Sequence, residues 1–558
     1  MEASERITIY CKNNNIYKEI QTGSSLLEIY TAIGAPLKQK SLCARVNNRV
    51  ESLDFRCWKP KEIEFLDYSE LSGYRVYIRS VCFILSKAVN DLFPEKQFNI
   101  EHSVSKGYYC SFANGEKISD KTIILIKKRM KEIIAANIPF VLKRARTVDA
   151  VKLFRERGMN DKALLLETAG MSYTSYYELD GYINYFYGRL TPSAGYIHLF
   201  DIISYFDGLL LRVPQTDNCL ELCPLIKQEK IFAAYKRHLK LQHAIGINNV
   251  SDLNLEIQKG NAQEVIMVSE AMQEKHIAAI ANKIAENYRN NGTRIVLISG
   301  PSSSGKTTFC KRLQIQLITN LLHPLGISLD DYYLDREKTP LDENGKYDFE
   351  SLYAIDLPYF KKDLLRLLEE EEVAQPSFNF ETGKREYRGH KLRMKQNSIL
   401  ILEGIHALNP ELTDNIPYEC LFKVYVSALT TISLDGHNWI PTADNRLLRR
   451  IVRDYQFRGY SAKQTISMWK NVRRGEDKWI FPYQENADET FNSAMIYELA
   501  ALRKYAEPVL NEVFENEDEF TEAYRLLRFL KYFNYIREEE LPGTSLLREF
   551  LGGGKFKY

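Results

Sequence analysis

The sequence predicts a multidomain protein in which an α/β unit with a doubly wound parallel sheet follows a small β-rich domain and an α+β domain. Length is the first observation: 558 residues hold three or four folding units at roughly 150 residues each, so a single core is excluded. The second is a set of short, β-rich apolar runs after residue 294, IVLISG, ISLD, ILILEG and KVYVSA, separated by helical segments as buried parallel strands are. The third is the strand-like alternation near the start, as in RITIYCKNNNIYKEI and CARVNNRVESL, with Asn-Asn and Gly-Ser turn signals between the runs.

Taken in order, residues 1–68 read as the small β domain. From 69 to 225 a helix-periodic stretch, VCFILSKAVNDLF, alternates with aromatic-rich strands such as GYYCSF and YINYFYGRL, the pattern of an α+β unit. Residues 226–285 are mainly helical and form a connector that includes YKRHLKLQHAIG and EKHIAAIANKIAENY, the latter broken at Asn290 to Gly292. Residues 286–515 carry the parallel strands. The tail, 516–558, has apolar residues near helical spacing in EDEFTEAYRLLRFLKYFNYIREEE and predicts a packing helix pair.

Composition narrows the function. With 75 Lys and Arg against 73 Asp and Glu, the net charge of +2 argues against a generally polybasic binder of nucleic acid or anionic membrane. At 45% hydrophobic and 27% charged residues the chain is ordinary globular protein. Nine irregularly spaced cysteines read as reduced thiols, and the pair Cys219 and Cys223 lacks the further ligands of a zinc set. The start MEASERITIY has no basic flank or apolar h-region, and no run is long enough for a membrane span, so a cytoplasmic protein with no membrane partner is expected.

The strongest local signal is Gly300-Pro301-Ser302-Ser303-Ser304-Gly305-Lys306-Thr307, the P-loop spacing of two glycines followed by Lys and Thr. It follows the strand-like RIVLIS and enters a helix with Phe309, Leu313 and Leu317 on one face. Backbone N–H groups converge at such a helix start, where phosphates bind. Gly300 and Gly305 permit close backbone approach, Lys306 carries positive charge to the outer phosphates, and Thr307 can ligate Mg²⁺. The expected nucleotide contacts are Gly300, Ser302, Ser303, Ser304, Gly305, Lys306, Thr307 and Thr308.

Two acidic sites stand at later strand ends, Asp330 and Asp331 after ISL and Glu403 after ILIL, where open α/β sheets hold ligands. Asp330 could accept a proton from an acceptor hydroxyl; Glu403 could hold Mg²⁺ directly or through water. A third cluster, DNRLLRRIVRDYQFRG, sets Arg446, Arg449, Arg450, Arg453 and Arg458 around an apolar stripe of Leu447, Ile451 and Tyr455. Arginines on such a helix can neutralise phosphoryl oxygens and exclude water.

Across about 290–510 these residues resemble the uridine kinase family of P-loop kinases, through ISGPSSSGKTTF, SLDDYY, ILILEGIHAL and RRIVRDYQFRG. The resemblance implies Asp330 as catalytic Asp, Tyr333 as a substrate-pocket residue, and Arg449, Arg450, Arg453 and Arg458 as a lid or ribose-contacting group. It also puts Glu350 where that family commonly has an Asp on the ribose hydroxyls, and Phe378 and Gly383 where it has the Tyr and His that contact the pyrimidine. Phe378 can stack but has no hydroxyl, and Gly383 has no side chain.

The first 225 residues resemble the N-terminal region of threonyl-tRNA synthetases. Residues 5–68 look like its ubiquitin-like, β-grasp TGS domain, and RSVCFILSKAVNDLFPEKQFNIEHSVSKGYYCSF with FYGRLTPSAG looks like its editing domain. The editing His and Cys positions correspond to Arg79, Phe83, Phe186 and Leu190, which cannot supply imidazole or thiol chemistry, so a scaffold without deacylation is expected.

Together these readings predict a nucleoside kinase using ATP and Mg²⁺, with Lys306, Asp330, Arg449, Arg453 and Arg458 catalytic, Asp330, Tyr333, Glu350, Phe378 and Arg450 on the acceptor, and Thr307 and Glu403 on the metal. The acceptor is the 5′-hydroxyl of a uridine- or cytidine-like nucleoside; another nucleoside or a sugar phosphate is the alternative. A third reading makes the N-terminal half an RNA-binding unit regulated by nucleotide, motivated by Lys127-Lys128-Arg129 and Lys143-Arg144-Ala145-Arg146. An oligomer is compatible with each.

Overall fold

A computed structural model describes residues 6–343, 345–379 and 381–557. The first five residues, part of the start that argued against a leader, lie outside the described residues. No helix among the described residues is long and apolar enough to cross a membrane.

The chain opens with the hairpin Arg6–Cys11 and Ile16–Gln21. Glu62–Leu66 pairs parallel to its first strand and antiparallel to Cys43–Val46, which pairs in turn with Arg49–Glu51. A capping box between Ser25 and Glu28 starts the helix Leu26–Ile33, whose Leu26 and Ile29 bury against Ile9, Ile63 and Phe65.

The second unit is built on the helix Leu71–Leu92, buried along most of its length. It packs in one core with Phe98–Val104 and Gly107–Phe112, two strands of a four-stranded antiparallel sheet, and with the helix Asp120–Ala135. A second, three-stranded sheet joins Val141–Arg146, Tyr173–Leu179 and Tyr182–Asn184. The strand expected over YINYFYGRL therefore ends at Asn184, because side chains take the backbone groups beyond it. Asn438 accepts from Tyr187 N–H at 2.9 Å and donates to the Tyr185 carbonyl at 3.0 Å.

In the α/β unit five parallel strands run in the spatial order His323–Ser328, Ser398–Glu403, Ile295–Ser299, Leu421–Ser427, Glu489–Asn492. Alternate side chains enter two cores. Val296, Ile298, Ile399 and Ile401 meet the helices Lys306–Thr319 and Ala262–Asn290, whereas Ile295, Leu297, Leu400 and Leu402 meet the helices Leu357–Leu368 and Glu229–Ala244 on the other face. Four strands are those the apolar runs predicted. The fifth, Glu489–Asn492, and the antiparallel hairpin Val373–Asn379 with Lys384–Leu392 have no comparable apolar signature.

The segment 226–285 is less a linker than part of this unit. Its helix Ala262–Asn290 runs past the expected end and holds Arg312 of the P-loop helix through Glu274, at 2.6 Å, and Glu270. The tail has one helix of three turns, Phe520–Leu530, and, after irregular chain that includes Pro542 and Gly543, a second helix of a single turn, Arg548–Leu551. One continuous core joins Phe154 and Leu166 of the second unit to Leu526 and Phe529 of the tail and to the parallel sheet.

Candidate active site

The P-loop leaves the strand Ile295–Ser299 and closes into the helix Lys306–Thr319. Ser303 and Gly305 have φ of +57° and +82°, the left-handed conformation that turns successive N–H groups toward one concavity. A Cβ on Gly300 would stand 2.1 Å from the Val426 carbonyl oxygen, so only glycine lets the loop pass the neighbouring strand. Ser303 Oγ and Ser304 Oγ are buried and have no hydrogen-bond partner among the described residues. Lys306 Nζ donates to the Pro301 carbonyl at 3.1 Å, folding its charge back over the loop.

The parallel register brings the acids to this loop. Glu403 ends its strand level with Ile298 and Ser328, and Asp330 lies two residues beyond Ser328. Burial pushes the Glu403 carboxyl up to about 7 against the pull of Lys306, while Asp330 and Glu549 push the same way as burial. Burial also raises Asp330, opposed by Lys306 and Arg458. Asp330, Glu403 and Lys306 thus share one electrostatic site.

On the acceptor side, Tyr333 donates to the Phe349 carbonyl at 3.3 Å and packs edge-on against Phe378 with ring centres 5.7 Å apart. Glu350 is raised to about 7 by burial, with Arg450 opposing. Gly383 sits at φ +69°, and a Cβ there would stand 2.8 Å from Arg336, whose side chain takes up that space. Asp331 accepts from Phe378 N–H at 3.2 Å, holding the backbone of that residue.

The five arginines of the helix Thr442–Phe457 and its cap divide by neighbour. Arg446 and Arg449 are 1% and 0% exposed; they pair with Glu476 and Glu498 and donate to the Ser302 and Ser303 carbonyls. They brace the loop's backbone. Arg450 donates to Ser302 Oγ at 2.8 Å, Arg453 pairs with Asp454 at 2.7 Å, and Arg458 lies 3.7 Å from Asp454 with its charge acting on Asp330.

Three carboxylates that touch the loop, its helix or its arginines carry no signal in the sequence. Glu476 accepts from Ser302 N–H at 3.2 Å as well as from Arg446 and Arg473, Glu498 neutralises Arg449, and Glu549 binds Thr308. Glu476 reads in sequence as one more charge on an amphipathic helix, and neither of the others belongs to a pattern.

The residues that the synthetase resemblance sets at editing positions form packing. Phe83 lies 5.4–5.6 Å, ring to ring, from Phe140, Tyr182 and Phe186; Leu190 is fully buried, and Arg79 Nε donates to the Arg189 carbonyl at 3.0 Å. The basic runs are largely paired: Lys127 with Asp201, Arg129 with Asp91, Lys143 with Glu178 and Arg146 with Asp149, while Arg144 lies over the Tyr173 ring. Cys219 Sγ accepts from Gln39, and Cys223 Sγ donates to the Pro214 carbonyl at 3.4 Å. Among the described residues no cluster of three His, Cys, Asp or Glu could hold a metal ion.

Comparison with known proteins finds different relatives for the two ends of the chain. Residues 295–499, just over a third of the chain, match the phosphoribulokinase / uridine kinase family. The N-terminal region is similar to threonine–tRNA ligases, with 27% identity over 188 residues to that of Syntrophomonas wolfei, covering 34% of this chain and 30% of the ligase. The Bacillus subtilis threonine–tRNA ligase 1 is 27% identical over 188 residues, 34% of this chain and 29% of the ligase. The chain thus spans under a third of the length of these curated relatives. Similar solved structures include a possible uridine kinase from Bacillus stearothermophilus (18% identity, 36% of this chain, 89% of that one, TM-score 0.25). Another is D-glycerate 3-kinase from Cryptococcus neoformans var. grubii (14% identity, 46% of this chain, 87% of that one, TM-score 0.22).

Proposed function

We propose that residues 286–515 form an ATP-dependent kinase that moves the γ-phosphoryl group to the 5′-hydroxyl of a uridine- or cytidine-like nucleoside. The observation that carries this reading is the meeting of the P-loop, Asp330 and Glu403 at the carboxyl ends of three adjacent parallel strands. Two buried hydroxyls in that loop, Ser303 Oγ and Ser304 Oγ, without partners among the described residues, fit a bound polyphosphate that would satisfy them.

When bound, Mg·ATP supplies the phosphoryl group and the divalent charge that offsets its oxygens. Thr307 and Glu403 are the residues that would hold the metal. Lys306 exchanges the Pro301 carbonyl for the outer phosphates. Asp330 orients the acceptor hydroxyl and takes its proton as the hydroxyl oxygen bonds to the γ-phosphorus and the bond to the bridging oxygen breaks. Its raised proton affinity favours that transfer. Arg450, Arg453 and Arg458 offset charge on the transferred group, and Arg446 and Arg449 keep the loop fixed. Tyr333, Phe378 and Glu350 bound the acceptor.

A second reading changes only the acceptor. Arg336 fills the space beside Gly383, where the resembled family has a pyrimidine-contacting side chain, and this favours a sugar or sugar phosphate. A screen of nucleosides and sugars with Mg·ATP, products resolved by mass, tests both. A nucleoside monophosphate supports the first reading, product from sugars alone selects the second, and no product from either removes both.

A further inference from the structure

The C-terminal segment reaches back to the phosphate cradle. Leu546, Leu547, Phe550 and Leu551 are buried in the core that holds the P-loop helix. A Cβ on Gly305 would stand 2.4 Å from Leu546, and Phe550 lies 5.0 Å from the Arg449 guanidinium. From this base the Glu549 carboxylate accepts two hydrogen bonds from a single residue: Thr308 N–H at 3.0 Å and Thr308 Oγ1 at 2.8 Å. Its charge also bears on Glu403.

The N–H groups of a P-loop and of the first turn after it cradle the α- and β-phosphates. Thr308 stands in that turn, and its donors already hold an anion belonging to the chain itself. We infer that Glu549 is a built-in occupant of the innermost phosphate seat, so that nucleotide binding and docking of segment 545–551 compete. This rests on the nucleotide-binding reading of the loop. Only the fraction of molecules with the seat vacated then binds nucleotide, and the apparent affinity falls by that fraction. The tail also touches the first two units, through Asn48 to the Glu517 carbonyl and through Arg75 to Glu522, so it joins them to the cradle.

The test is calorimetric titration of the full chain with ADP, for wild type, Glu549→Ala, Glu549→Gln and Lys306→Ala. It is paired with hydrogen exchange of 545–551 with and without ADP. The inference expects ADP to bind about tenfold tighter or better to both Glu549 variants, the scale of a charge-assisted hydrogen bond. It also expects faster exchange of 545–551 when wild type is saturated. Folded variants that bind ADP no tighter than wild type overturn it and leave the nucleotide reading intact, since wild type binds and Lys306→Ala weakens. If the variants do not fold, wild-type exchange decides, and unchanged or slower exchange overturns the inference. ADP bound by none of the four removes the nucleotide reading, and the inference with it.

Discussion

Lys162 donates to Asp435 across 2.6 Å, with the two side chains 1% and 0% exposed, and the pair fastens the second unit to the loop that follows the fourth strand of the parallel sheet. Asp161 reinforces it by accepting from Gly436 N–H at 2.8 Å. Two charges taken from water are kept there only by each other and their hydrogen bonds. Lys162→Met therefore strands Asp435 and should lower stability by about 3 kcal/mol. Lys162→Met with Asp435→Leu should recover much of that loss. Chemical denaturation of the single and double variants gives the coupling, and strictly additive losses would contradict it.

Lys306→Ala should weaken both nucleotide binding and phosphoryl transfer. Asp330→Asn should leave ATP binding near wild type and slow transfer by roughly 10²–10⁴, the range for a positioned general base. Steady-state kinetics beside direct ATP titration separates the two effects, and wild-type turnover in the second variant would exclude Asp330 as the base.

Glu350 and Glu403, both raised from 4.5 to about 7, bind more protons in the folded than in the unfolded chain between those values. Stability contributed by their protonated forms is complete below about pH 4.5 and is lost as pH rises toward 7. Thermal melts of the ligand-free protein should therefore show Tm falling across that window, on top of other titrations. Glu403→Gln should flatten the fall, and an unchanged slope would mean that Glu403 titrates at its ordinary value.

Phe83, Phe186 and Leu190 fill the editing positions with packed apolar side chains. The full chain should release no serine from mischarged Ser-tRNA. Phe83→Ala should cost about 3–5 kcal/mol by opening a cavity in that core, measurable as a drop in denaturation midpoint. Serine release above background would overturn the first expectation.

Much of the site was legible because its signals are local. Gly300, Gly305, Lys306 and Thr307 are contiguous, and the apolar runs that end at Glu403 and just before Asp330 announce parallel strands whose ends meet. The strand Glu489–Asn492 was not legible: four residues, ETFN, have too little apolar content to stand apart from loop. The arginine helix was legible as a helix but not in its division of labour. Spacing places Arg449 and Arg453 one turn apart, but only Glu498 and Asp454 show what each one meets.

By itself the sequence determined the P-loop motif, four of the five parallel strands and the two-part character of the chain, because period and motif act over a few residues. The tertiary structure alone decided which carboxylates meet the P-loop and its helix. Glu476 meets Ser302 across 174 positions of chain and Glu549 meets Thr308 across 241. Contacts at that separation are fixed by how helices pack on the sheet, and they leave no periodic trace in the sequence that makes them.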